Sequence, residues 1–587
     1  LSAKVISLNI LPGIQRDGTI FDSTMYVDGR WVRFQRGRPR KIGGYKGIFQ
    51  NATSISRGMI MNPNNGLNYV YSGYNNGLEY WVTDHDDGVG SGPNPITMTS
   101  GFTASDTNLW QFDIGYDTDG SGSETIVAHP GQNLVHIDNS VDTPVLIGNY
   151  PGGAMSPVGQ FTASVALNST TTGTITGTDA RVGAGQLVTG TGIPVGTTVV
   201  SATPSGGNTS VVFSNAATVT STETLTFDNQ INVSGGCVLI YPFLFVYGNN
   251  GLIQNSSAGN FQNWVAADAN ANNVATGKIV KGLPVRGGTT SPSGLFWSLD
   301  SLIRVSYAPQ TVGSGTIYWR YDIISTQTSI LSSQCVIEYD GIYYWIGTDR
   351  FLMYNGVVQE ITNNANTNFF FDNLNYNQRQ KVWVSKVPRF GEIWWFYPSG
   401  DSEECNNAII YNVREKVWYD AGFALGARRS AGVFSEVFRF PIWAGNEEED
   451  GNTILWQHET GVNRVNLTQE TAIQSFFETN SIGWVNGGPG QSQPAGNNVW
   501  IRLERIEPDF VQSEEMSVVV TGKGYAEDVD EVSDPYTFDP DTLKVDMRQQ
   551  RREMRLRFQS NIVNGNYQMG RVLLSAEIGD VRSTGNP

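Results

Sequence analysis

Apolar residues in this chain fall in short runs, and the runs come in pairs. Leu67 to Val70 and Leu78 to Val82 flank a turn at Gly73 to Gly77, and Thr125 to Ala128 and Leu134 to Ile137 flank His129 to Asn133. Val238 to Tyr247 and Gly251 to Gln254 flank Gly248-Asn249-Asn250. Leu295 to Trp297 and Leu302 to Tyr307 flank Ser298 to Ser301, and Val336 to Tyr339 and Ile342 to Ile346 flank Asp340-Gly341. Ile393 to Tyr397 and Ala408 to Tyr411 flank a polar loop, and Pro441 to Trp443 and Thr453 to Gln457 flank Asn446 to Asn452. Asp-Gly and Gly-Asn between such runs are hairpin signals, because these residues accept positive φ. A hairpin unit recurring with drifting spacing between residues 57 and 460 predicts a β-propeller core of six or seven blades.

Two stretches depart from this pattern. From Phe161 to Phe227 the aromatics thin out, and Thr, Val and Leu alternate between Gly-rich turns. This predicts a small β domain, over 156–232, inserted in a propeller loop. After residue 470, Val499 to Glu507, Met516 to Thr521, Lys544 to Met547, Met554 to Phe558 and Arg571 to Ile578 read as strands of a β-sandwich-like C-terminal domain, 471–587. The blades then occupy 57–155 and 233–470, and 1–56 is a basic N-terminal β segment making subunit contacts. The fold class is all-β.

Composition agrees with this reading. Only 16% of the 587 residues are charged and 66 are Gly, which disfavours helices. Fifteen Trp, 24 Tyr and 27 Phe suit pleated faces. The formal net charge is −17, so the chain as a whole repels nucleic acid, although an acidic wall would let DNA slide. Cys237, Cys335 and Cys405 are odd in number and far apart, which argues against a disulfide framework or zinc site and for assembly in a reducing cytoplasm. Leu1 to Pro12 does not read as a signal peptide, and Leu1 in place of Met implies a lost or processed start. No apolar stretch of about 18 residues predicts a membrane segment.

Against that acidic background, Gly29 to Gln50 carries Arg30, Arg33, Arg36, Arg38, Arg40, Lys41 and Lys46 without an acid. The span reads as a subunit interface, a phosphate contact in a lumen, or an ordinary exposed hairpin. Alternation places Trp31 and Arg33 on one face. In the second basic run, alternation sends Met554, Leu556 and Phe558 to a core and Glu553, Arg555 and Arg557 outward, toward a neighbour's acids or an intrachain lattice. Asp117, Asp119 and Ser121 mimic the start of a calcium loop, but Ala128 stands at position twelve, so a polar turn is the better reading. Glu447, Glu448, Glu449 and Asp450 form a candidate acidic lumen loop or a solvated hairpin tip. The four His make no HExxH and flank no GxSxG elbow, and no repeated Ser-x-Asp-x-Gly box marks a sialidase-like propeller. Catalysis is not expected, and nothing calls for a cofactor or metal.

The clearest signature is N-terminal. Leu11-Pro12-Gly13-Ile14-Gln15-Arg16-Asp17-Gly18-Thr19 leads to Asp28-Gly29-Arg30-Trp31-Val32-Arg33-Phe34, then Gly37-Arg38-Pro39 and Lys41-Ile42-Gly43-Gly44-Tyr45. Phe245-Val246-Tyr247-Gly248, Phe261-Gln262-Asn263-Trp264, Tyr354-Asn355-Gly356, Asn412 to Trp418, Leu455 to Gly461, Arg555 to Phe558 and Gly570-Arg571 follow in order. This succession resembles the podovirus tail nozzle and head-to-tail hub, or "packaged-DNA stabilization", family, over most of the chain outside the insert. The resemblance implies a virion tail protein of a short-tailed bacteriophage. It implies a hexamer below portal and adaptor proteins, contacts with tail fibre or plug proteins, and DNA retained and ejected through the lumen. It leaves nozzle and hub unseparated. The competing readings are a receptor- or glycan-binding propeller of the tail tip and a secreted glycosidase, the latter weakened by the missing carboxylate constellation.

Overall fold

The computed structural model describes residues 4–579 apart from short internal stretches, the longest being 139–155 and 483–499. The chain is all-β with a β-propeller core. It divides into two compact units, Asn51–Ile361 and a second made of Leu1–Gln50 with Thr362–Pro587. Among the described residues no helix is long and apolar enough to cross a membrane.

Unit Asn51–Ile361 contains five four-stranded antiparallel meanders, each with its strands in chain order. They begin at Ser56, Gln111, Gly236, Ile279 and Ile337. The central strands are buried on both faces, as in Phe243–Tyr247 and Ser293–Ser298, which explains why their sequences are apolar runs rather than strict alternations. Side chains join consecutive sheets. Gln111 Nε2 donates to the Gly235 carbonyl and Tyr247 Oη donates to Gln111 Oε1, while Tyr343 Oη donates to the Pro284 carbonyl at 2.7 Å. The Asp340-Gly341 turn has φ of 51° and 81°, the positive pair that a tight hairpin between Ile337–Tyr339 and Ile342–Ile346 requires. The run read as one strand from Val238 to Tyr247 is two strands, Gly236–Ile240 and Phe243–Tyr247, because Pro242 cannot donate to a ladder and turns the chain instead.

The insert folds as a six-stranded antiparallel sheet between Gln160 and Asp228. Its first and last strands pair directly, Gln160 opposite Asp228. Phe161 stacks on Phe227 over a core of Val165, Val188, Val211 and Leu225.

The second unit holds two further meander sheets. One comprises Trp383–Val387, Glu392–Tyr397, Asn407–Asn412 and Val417–Asp420. The other is six-stranded: Arg429–Val433, Ile442–Gly445 and Thr453–His458 are followed by Tyr45–Ala52, from the opposite end of the chain, as fourth strand, then by Arg464–Asn466, parallel to it, and Gln469–Thr471. With the five above, the described residues form seven blade-like sheets, within the predicted six or seven.

The N-terminal segment is not a separate arm. Lys4–Ser7 pairs with Leu573–Ile578, Asp28–Arg30 with Ser475–Glu478, and Arg40 with Gln568. It therefore supplies strands to the sheets of the C-terminal domain, which surround one core where Phe477 meets Tyr26 edge-on and stacks on Phe558. The strand Glu553–Ser560 lies inside its sheet, between Ser475–Glu478 and Met516–Lys523.

Candidate functional site

The basic residues of the N-terminal segment part company in space. Trp31 adopts φ of 52°, which interrupts the strand between Asp28–Arg30 and Val32–Gln35. Simple alternation fails there, and Trp31, Val32, Arg33 and Phe34 are all buried. Arg33 lies between two carboxylates: Nη2 is 3.0 Å from Glu392 Oε2 and Nη1 is 2.8 Å from Glu459 Oε2. Tyr419 Oη and Trp394 Nε1 donate to the Glu392 carboxylate at 2.6 and 2.9 Å. Burial disfavours the guanidinium's charge, but Glu392 and Glu459 together hold its pKa above the ordinary arginine value. At 1% exposure Arg33 is not available to a neighbouring subunit or to phosphate. The interface reading fails for this residue because its charge is already matched inside the chain.

Lys41 is likewise internal. Its Nζ donates to the Gly565 carbonyl at 2.6 Å, and burial pushes its pKa down to about 8. Arg30 is half-buried and donates to Gln474 Oε1 and the Phe423 carbonyl. Arg555 and Arg557 belong to an intrachain lattice rather than to an outward face. Arg555 pairs with Glu478 and Asp530, and Arg557 with Glu478 and Asp28. The alternation argument fails for Arg555, 8% exposed, because its strand is interior to the sheet and the segment bearing Asp530 covers it.

Arg36, Arg38 and Arg40 remain at the surface or half-buried, and the structure gathers other cations around them. The Glu415 carboxylate accepts the backbone N–H groups of Arg36 and Gly37, which docks the Val32–Lys41 hairpin turn onto the turn before Val417–Asp420. Arg414, in that turn, donates from Nη1 and Nη2 to the carbonyls of Arg389 and Pro388 at 3.1 and 2.7 Å. Phe390 carries three guanidiniums near its ring, Arg33 at 3.7 Å, Arg389 at 5.2 Å and Arg40 at 5.5 Å. Arg40 is steadied by Gln35 Oε1 at 2.7 Å. Its pKa is pressed down by burial and, after that, by the charges of Arg33 and Arg389. Sequence reasoning missed Arg389, Arg414 and Lys416, hundreds of residues away. The only signal was the recurrence of cations in two turns of one acidic chain.

Other candidates give less. Glu447 forms a surface ion pair with Arg428 at 2.5 Å, while Glu448, Glu449 and Asp450 lie outside the described residues. Asp117 ends a strand, and Asp119 and Ser121 also lie outside them. Among the described residues no group of three or more His, Cys, Asp or Glu side chains could hold a metal. Cys237, Cys335 and Cys405 are buried thiols outside any disulfide. His458 is buried and accepts from Arg429 Nε at 2.9 Å, and burial first, then Arg429, hold it neutral, with its pKa well below the usual value.

No family model matches this chain, and no curated protein matches it. Among solved structures it is similar to the phage phi92 endosialidase, at 12% identity and a TM-score of 0.24, covering 85% of this chain and 75% of that one. It is also similar to BamB from Moraxella catarrhalis, at 12% identity and a TM-score of 0.27, covering 78% of this chain and 98% of that one.

Proposed function

We propose that this chain is a structural subunit of a short-tailed bacteriophage tail, a nozzle or hub protein whose copies close a ring that retains packaged DNA and conducts it during ejection. The observation that supports this reading is the structural duty of the motif residues on which the family resemblance rests. Arg16 reaches Asp28, Asp420 and the Gly29 carbonyl. Asp17 accepts the backbone N–H groups of Asn368 and Phe369. A Cβ on Gly29 would lie 2.7 Å from Ile14 Cδ1, and one on Gly44 would lie 2.3 Å from the Asn463 carbonyl oxygen. Trp31 is fully buried and donates to the Gly43 carbonyl. The segment 11–45 thus binds the sixth and seventh sheets to the C-terminal domain, so its residue order is tied to this architecture rather than being a chance run of Gly and Arg.

Copies of such a subunit can close a ring, which leaves no open interface edge. The test is the particle mass by light scattering, with negative-stain imaging, of the protein alone and with its adaptor. A six-fold ring with a central channel is expected, on the adaptor if not alone. A chain that stays monomeric under both conditions and binds immobilised glycans would replace the conduit with a receptor-binding propeller.

A further inference from the structure

We infer that Arg36, Arg38, Arg40, Arg389, Arg414 and Lys416 form a phosphodiester-binding patch that contacts the backbone of double-stranded DNA. The inference rests on the conduit reading for the identity of the polyanion, and on geometry for the site. Three turns from distant parts of the chain are locked together there by the Glu415 clamp, by the bonds of Arg414 to two carbonyls, and by the stack on Phe390. Arg36, Arg389, Arg414 and Lys416 are exposed, and Arg38 and Arg40 are half-buried. Among the described residues, none of Arg36, Arg38, Arg40, Arg389 and Lys416 forms an ion pair with a carboxylate. The nearby acids are already engaged, Glu415 by backbone N–H groups and Glu392 and Glu459 by Arg33. A chain of net charge −17 therefore concentrates unmatched cations at one place.

The chemistry of the surface selects the partner. The core of a protein interface is depleted of charged residues as a class and sets aromatic and Met anchors beside any Arg. None of the large exposed hydrophobic residues falls within these three turns, and Phe390 lies beneath guanidiniums. What remains is an array of planar forked donors, which suits phosphate oxygens. Arg40 sits where Arg33 and Arg389 already crowd it with positive charge, so an arriving anion relieves that repulsion. The patch carries no base-reading geometry, and binding is sequence-independent.

The test is fluorescence anisotropy of a labelled DNA duplex titrated with the full-length chain over a series of salt concentrations. Each phosphate contact contributes a slope of about −0.9 in log K against log salt. The triple variant Arg38→Glu, Arg389→Glu, Lys416→Glu should bind at least about tenfold more weakly, with the slope reduced by roughly 2.7. Arg320→Glu, a reversal in the exposed pair with Asp322, controls for charge reversal away from the patch and should change little. Three outcomes would overturn the inference: no binding by the unaltered chain at low salt, unchanged affinity and slope in the triple variant, or an equal loss in Arg320→Glu. Particle mass is measured on the same samples. A triple variant that binds DNA normally but no longer assembles would make the patch a subunit contact, whereas an unaltered chain that binds DNA but never forms a ring would sink the conduit reading and leave the patch standing.

Discussion

Replacing Lys41 by Met should abolish a component of stability that rises with alkaline pH. Lys41 is 2% exposed, its one hydrogen bond goes to a neutral carbonyl, and burial lowers its pKa from 10.5 to about 8. The folded state therefore disfavours the ammonium form. Between about pH 8 and 10.5 the unfolded chain binds more protons than the folded one, so stability rises with pH across that window. A difference of 2.5 units at 1.36 kcal/mol each gives an upper bound of about 3 kcal/mol between neutral pH and complete deprotonation. Met keeps the length of the side chain and removes the charge, while the Gly565 carbonyl loses its donor, which costs about 1–3 kcal/mol. At pH 7 the two effects nearly cancel or leave Lys41→Met somewhat more stable. The decisive quantity is the pH slope. Urea unfolding followed by Trp fluorescence at pH 7, 8.5 and 10 should show the unaltered chain gaining on the variant as pH rises. Parallel curves for the two proteins, or a gain by the variant with rising pH, would refute the reasoning.

Arg33→Ala leaves Glu392 and Glu459 buried without their cation and should cost about 3–5 kcal/mol in urea unfolding. Part of that loss should return as pH falls and the stranded Glu392, whose pKa burial already raises, protonates, a recovery absent from the unaltered chain. Gly44→Ala drives a methyl into the Asn463 backbone and should unfold or strongly destabilise the second unit. Gly341→Ala has open space but φ of 81°, and should cost only about 1 kcal/mol, a contrast that thermal melts will read. Replacing residues 160–228 with a short Gly-Ser linker removes a sheet whose ends already face each other, and the remainder should melt within about 4 °C of the original.

Local structure was legible wherever turn chemistry and periodicity decide it. Asp340-Gly341 announces its hairpin because few residues tolerate two successive positive φ values. The insert is visible because Thr/Val alternation carries its own core. Partnership was not legible. Period-two alternation says that a strand exists, not which strand it joins, so nothing in Tyr45–Ala52 reveals that it completes a sheet begun near residue 429. The same limit hid the partners of Arg33, which are 359 and 426 residues away. Arg555 was misplaced because alternation assigns a side chain to a face but cannot say whether that face is covered.

The exchange of strands between the chain's two ends sets an order for its synthesis. Residues 51–361 are contiguous and can fold as they leave the ribosome. Lys4–Ser7 must wait for Leu573–Ile578, a delay of roughly half a minute to two minutes at about 5–20 residues per second. For most of that interval the basic N-terminal strands stand without Glu392 and Glu459, which will enclose Arg33, and almost to its end without the Gly565 carbonyl that takes Lys41. A cell making many copies at once therefore carries a population of half-finished chains with open edges, each able to capture the C-terminal strands of another copy. Yield should accordingly fall when translation is fast and crowded, and recover when expression is slowed by lower temperature.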